Sequence, residues 1–272
     1  MAGALGLECL SGLGLPPDAL IRTAAGLGFA HVSLNLSGAA NRLECYPAAA
    51  LRGDPALQQA VRTALDETGM ALSLLEGFAI TPECPAESWQ AELDLAAALG
   101  ARSTCVIGME RDRPRCHEEF GRFAQFCAER GLIATTEVGA GICRTLSHAL
   151  EAVRLSGSDN FRLLIDTMHF FRSGAALADM AALDPALIAH VQLADVPMPA
   201  RIASYMEEAL WERRAPGDGD LPLAAFCALV PGGVPMGLEI PIRSEALAGI
   251  APEARFARLR DAARAVMEAA AP

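Results

Sequence analysis

One pattern constrains this chain more than any other: a helical stretch ends in glycine, and a short apolar run starts at once. It occurs at GLGF–AHVSLNL (26–36), ETGM–ALSLLEGF (67–78), ALGA–RSTCVIG (98–108) and ERGL–IATTEVG (129–139). Glycine after a helix supplies the left-handed residue that closes the last turn. The apolar runs alternate little, as strands buried on both faces do. The stretches between them carry the helical period. Asp54-Pro55 reads as an N-cap with proline at the first helical position, and Leu57, Val61 and Leu65 then share a face. Phe120, Phe123 and Cys127 repeat the pattern, as do Phe256, Leu259 and Ala263 after Pro252.

Extended along the chain, the pattern predicts strands at 4–10, 30–36, 70–76, 102–107, 132–137, 161–166, 187–193 and 236–240. Helices are predicted near 17–27, 54–68, 85–99, 115–130, 145–156, 174–183, 221–229 and 252–269. Eight strands alternating with eight helices favour closure into a single (βα)8 TIM barrel over an open doubly wound sheet. No Gly-x-Gly-x-x-Gly turn follows the first strand, which weakens a dinucleotide fold further. The 272 residues compare with roughly 250 for a barrel of this type, so one domain over 1–272 is expected. The one long connection, 194–220, has a length that often marks function. Within it, 204–212 (SYMEEALWE) reads as either a lid or a subunit contact.

Composition narrows the partners. Net charge −11 opposes nucleic-acid backbones, so no nucleic acid is expected. No apolar stretch is long and uninterrupted enough for a membrane span. The opening MAGALGLECL lacks a basic segment, so a secretory signal is not expected and a cytoplasmic protein is. The eight cysteines form no Cys-x-x-Cys pair and read as reduced, mostly buried thiols.

In such a barrel the chemistry sits at the C-terminal strand ends. There the chain offers Glu8, Asn35, Glu76, Glu137 (IATTE), Asp166 (RLLID), His190, Gln192 and Asp195 (HVQLAD), and Glu239 (MGLEIP). Buried carboxylates without partners are costly, and several of them ending consecutive strands call for a shared positive charge. A divalent cation is the simplest supply; arginines inside the barrel mouth are the alternative. Oxygen donors from Glu137, Asp166, Gln192 and Glu239 favour Mn2+ or Mg2+, with Zn2+ or Co2+ admissible. His169, three residues past Asp166, suits substrate contact or support of a ligand. His190 reads as packed or as supporting a ligand from behind.

The segments TTE (135–137), LLIDTMH (163–169), HVQLADVP (190–197), APGDGDLPL (215–223) and GLEIP (237–241) resemble the xylose isomerase-like barrel superfamily of sugar-phosphate isomerases and epimerases. The resemblance implies one divalent metal on Glu137, Asp166, Gln192 and Glu239, where many members have His at the Gln192 position. HVQLADVP is similar to hydroxypyruvate isomerases, although the link that follows, MPARIASYMEEALWERRAPGDGD, is longer than theirs. Asp166-x-x-His169 resembles the ketose 3-epimerase pair, in which the histidine contacts substrate. ERRAPGDGD resembles the loop whose arginine reaches the ligand, here Arg213 or else Arg214. With His169, these arginines, Glu76 and His190 make up the expected substrate contacts.

The chemistry implied is isomerisation or epimerisation of a sugar, sugar phosphate or small hydroxy-carbonyl compound through an enediolate, with Glu137 and Glu239 as acid and base. Two alternatives stand beside it. One is a metal-dependent lyase such as a 3-dehydroshikimate dehydratase; the other is a non-catalytic sugar-binding barrel. A histidine-rich multi-zinc DNA-repair enzyme is disfavoured by five histidines and the acidic charge. A homodimer or homotetramer is expected from the resemblance.

Overall fold

The structure is a computed structural model, described over residues 5–270. Eight strands, β1 (Leu5–Leu7), β2 (His31–Asn35), β3 (Ala71–Ile80), β4 (Ser103–Gly108), β5 (Ile133–Glu137), β6 (Phe161–Asp166), β7 (Ile188–Leu193) and β8 (Met236–Leu238), form one closed sheet in chain order. The recorded pairings are parallel. The helices are α1 (Pro17–Gly26), α2 (Pro55–Thr68), α3 (Gln90–Ala98), α4 (Arg113–Ala128), α5 (Leu146–Ser156), α6 (Thr167–Arg172), α7 (Leu177–Ala182), α8 (Tyr205–Trp211), α9 (Leu223–Leu229), α10 (Arg243–Leu247) and α11 (Pro252–Ala269). The expected TIM barrel is therefore present. The first strand is shorter than expected: extended pairing stops at Leu7, and a 3-10 turn covers Cys9–Gly12. Residue 4 of that expected strand lies outside the described residues.

By its contacts the chain divides into two compact units, Leu72–Val191, and Met1–Ala71 with Gln192–Pro272. In the first, α4 buries Phe120, Phe123 and Cys127, the face its periodicity predicted. Phe120 stacks on Phe161 at 4.9 Å, and Phe123 meets Phe78 edge-on at 5.3 Å. Asp112 caps α4 by accepting from the Arg115 amide, and Thr145 caps α5 by accepting from that of His148. Hydroxyls tie successive strands: Ser103 donates to the Ser73 carbonyl at 2.7 Å, and Thr135 to that of Thr104 at 2.9 Å. These bonds let polar side chains lie buried in the sheet without losing their partners.

In the second unit, α2 begins as expected, with Asp54 accepting from the Leu57 amide and Pro55 at the first position. It ends at Gly69, whose φ of 65° closes the last turn. Its buried Val61, Ala64 and Leu65 pack toward α1, which turns in Leu20, Ile21 and Ala24. The 194–220 connection is not structureless, because α8 lies within it. Tyr205 and Met206 are exposed there, while Glu208 and Ala209 are buried.

Among the described residues the eight cysteines form no disulfide; four are buried, three half-buried and Cys45 exposed. Burial pushes the Cys116 and Cys127 thiols up to about 12, and those of Cys143 and Cys227 up to about 11. Such thiols hold their protons at neutral pH and are poor nucleophiles. Among the described residues, no helix is long and apolar enough to cross a membrane.

Candidate metal centre

Glu137 is the last residue of β5 and Asp166 the last of β6. Their side chains gather with that of His169, ligand atoms within 4.8 Å of one another. Local structure explains why. Asp166 is the N-cap of α6, and its Oδ1 accepts from the His169 amide at 2.9 Å. The Asp-x-x-His spacing is thus a capping geometry: it fixes His169 in the first helical turn, three residues from the capping carboxylate. His169 Nε2 then lies 3.6 Å from Glu137 Oε1. Asp166 is fully buried, and Glu137 and His169 are nearly so.

The turn after β5 is shaped around the same imidazole. Gly139 has φ 103°, and a Cβ built there would fall 2.8 Å from His169 Cβ. Only glycine meets both conditions at no cost. Two carboxylates and an imidazole, mostly sealed from water, form a donor set that suits a divalent cation. The structure brings Glu137 and Asp166 together in this unit, with His169 beside them.

Two other expected substrate contacts lie in this unit. Glu76 is half-buried at a register shift between Leu75 and Phe78, next to Gly77 with φ 100°. A bulge of this kind re-aims the side chain it carries. His190 is fully buried on β7.

Gln192, Arg213, Arg214 and Glu239 belong to the other unit. Arg213 is almost fully buried. Its Nη2 pairs with Glu239 Oε2 at 2.9 Å, its Nη1 donates to the Glu239 carbonyl at 3.1 Å, and its Nε donates to the Ala209 carbonyl at 2.8 Å. A buried arginine therefore supplies positive charge to Glu239. Arg214 exchanges backbone hydrogen bonds with Asp195 in an antiparallel bridge and is exposed. In extended chain successive side chains point to opposite faces, so Arg213 turns in and Arg214 turns out.

Gln192 Nε2 donates to Glu8 Oε2 at 3.4 Å. Glu8, in sequence a strand-end carboxylate with no assigned role, is fully buried. A sequence signal for it existed in Gly237. A Cβ there would lie 1.5 Å from Glu8 Oε1, so β8 needs glycine to leave room for the carboxylate.

A parallel (βα)8 barrel with a carboxylate–imidazole cluster at its strand ends defines a class: a barrel protein with a candidate metal centre at the C-terminal ends of β5 and β6. Within that class the chain belongs to the family described as xylose isomerase-like TIM barrel, which matches residues 21–265. A solved xylose isomerase-like TIM barrel/4-hydroxyphenylpyruvate dioxygenase fusion protein is 20% identical with a TM-score of 0.75; the match covers 99% of this chain and 43% of that one. The IolI protein, solved with a binding zinc atom, is 13% identical at TM-score 0.74, covering 98% of this chain and 97% of that one. L-ribulose 3-epimerase is 13% identical at TM-score 0.72, covering 98% and 95%. At these identities the likeness speaks for the fold. No curated protein sequence matches the chain.

Proposed function

We propose that the protein is a divalent-metal-dependent isomerase or epimerase of a sugar, sugar phosphate or small hydroxy-carbonyl compound. The observation that carries this reading is the convergence of Glu137, Asp166 and His169 at the ends of two consecutive strands. These three side chains would hold the ion; Gln192 and Glu239 are proposed as further ligands on the strength of their strand-end positions in sequence. The imidazole shifts the expected ion from Mg2+ toward Mn2+ or Zn2+, which accept nitrogen readily. A zinc-bearing solved relative and an epimerase relative support the reading.

Such an ion, when bound, polarises a carbonyl and stabilises charge developing on its oxygen. The rest of the work falls to the chain. Glu137 is proposed to remove the proton from the carbon beside the carbonyl, leaving an enediolate, with Glu239 proposed from its strand-end position in sequence as the partner that returns a proton, or the reverse. His169 Nε2 lies 3.6 Å from Glu137 Oε1, a spacing at which both could ligate one ion. All 22 basic residues are arginines. The chain therefore has no lysine for a Schiff base, and carbonyl activation by that route is closed to it.

The test is metal analysis of purified protein followed by a sugar panel in deuterated water. Bound Mn2+ or Zn2+ lost from Asp166→Asn, with solvent deuterium entering the substrate beside the carbonyl, supports the reading. Loss of water from the substrate reassigns the chemistry to a lyase. A metal-free protein that turns nothing over leaves a sugar-binding barrel. Glu137→Gln is expected to lower kcat by about a hundredfold or more if Glu137 is the base.

A further inference from the structure

A cavity whose lining includes none of Glu137, Asp166 and His169 lies between the turns that follow β4 and β5. It measures about 460 Å³, within the range that holds small ligands. Arg111, Arg113, Arg144 and His148 line it, together with Glu110. The two turns are fixed to each other: the Ile142 amide donates to the Gly108 carbonyl at 2.9 Å, and Gly141 is pressed so close that a Cβ there would lie 2.3 Å from that carbonyl oxygen.

The nearby acidic groups are already engaged. Glu110, nearly buried, pairs with Arg115 at 2.9 Å. Glu151 pairs with Arg113 at 2.8 Å, and Asp112 Oδ1 accepts from the Arg115 amide at the start of α4. Arg111 and Arg144 are exposed and form no ion pair among the described residues. His148 adds an Nδ1 that is buried with no hydrogen-bond partner. The chain as a whole carries −11, so this local excess of positive charge runs against its overall field. Another cavity of about 580 Å³ gives the contrast: there Arg154 and Arg162 are balanced by Asp159 and Asp184.

We propose that the cavity between the β4 and β5 turns binds a phosphoryl group, held by Arg111 and Arg144 with Arg113 and His148 beside them. Guanidinium forks match phosphate oxygens in geometry and charge, and the bound anion relieves the repulsion among like charges around one cavity. The site does not depend on the reaction proposed above. Its ligand is either a free phosphate-bearing molecule or the phosphorylated end of the substrate.

The test is calorimetric titration of inorganic phosphate into the metal-loaded protein. It is run on wild type, on Arg111→Ala/Arg144→Ala and on Arg154→Ala, at low and high salt. Wild type and Arg154→Ala are expected to bind alike, the double variant about tenfold or more weakly, and added salt to weaken wild-type binding. Equal affinity in wild type and the double variant overturns the proposal, since phosphate held by a metal would survive those substitutions. Absence of binding to wild type overturns it as well. Both replaced residues are exposed, and retained metal content shows that the carboxylate cluster is intact. Steady-state assays then separate the sources. KM rising in the double variant for a sugar phosphate but not for the free sugar assigns the phosphate to the substrate. KM unchanged for both, with phosphate binding lost, assigns it to a separate ligand.

Discussion

The turn residue behind the cluster leaves no room for a side chain. Gly139→Ala forces a β-carbon into a backbone with φ 103° and against His169 Cβ at 2.8 Å. Strain of this kind costs about 1–3 kcal/mol, and part of it is relieved by pushing the imidazole off its position. Thermal denaturation is expected to show the loss, and metal analysis a reduced occupancy. Unchanged occupancy would mean that His169 tolerates displacement. His117 gives a second residue-level expectation. It is nearly buried, its Nε2 lacks a hydrogen-bond partner, and burial holds its pKa below the ordinary value against the pull of Glu151. The folded state therefore keeps the ring neutral while the unfolded chain takes up a proton near pH 6.5. Its stabilising contribution is present above that pH and is lost as pH falls toward the lower folded value. The melting temperature should drop between pH 7 and pH 5, and drop less in His117→Gln.

At the scale of elements, the long connection after β7 gathers around the side chain of Asp195. Asp195 accepts from the amides of Val196 at 2.9 Å, Gly217 at 2.9 Å and Leu221 at 3.1 Å, while its backbone pairs with Arg214. A Cβ on Gly219 would fall 2.2 Å from Asp195 Oδ1, so the segment closes tightly around the carboxylate. Asp195→Ala is expected to cost about 3 kcal/mol, since buried hydrogen bonds to a charged group are expensive to lose. Hydrogen exchange should rise over 214–221 and stay unchanged over α4. This fastening explains where sequence reading failed. The strands and the main helices were legible because buried parallel strands and helix-closing glycines leave local marks. The contents of 194–220 were not, because Asp195 grips amides about twenty residues away in sequence and leaves no periodic trace. The helix at 167–172 was missed for a similar reason. Its cap is a carboxylate that also reads as a ligand, and six residues are too few to show a period. Glu137 and Asp166 were readable as candidate ligands by their place at the ends of apolar strands. The burial of Glu8 was readable only through a glycine on β8, far along the chain.

For the molecule as a whole, the ion pair between Arg213 and Glu239 raises the question of what a buried charge pair contributes to stability. Both side chains are almost fully withdrawn from water, and three bonds from the guanidinium tie the segment before it to the residue after β8. Burying two charges costs desolvation energy that the pair's attraction barely offsets, so a pair like this rarely adds net stability over apolar side chains of the same volume. Removing one partner is another matter. Arg213→Met removes the 2.9 Å ion pair from a buried carboxylate and is expected to destabilise by about 3–5 kcal/mol. Glu239→Leu removes the same pair from the buried guanidinium at a similar cost. The double variant Arg213→Met/Glu239→Leu removes both charges together and is expected to recover most of that loss, a coupling that a double-mutant cycle in urea would measure. If the pair exists for stability, the double variant stays as weak as the singles. If it exists for the chemistry assigned to Glu239, the double variant folds about as well as wild type, and its turnover stays as low as that of Glu239→Leu alone.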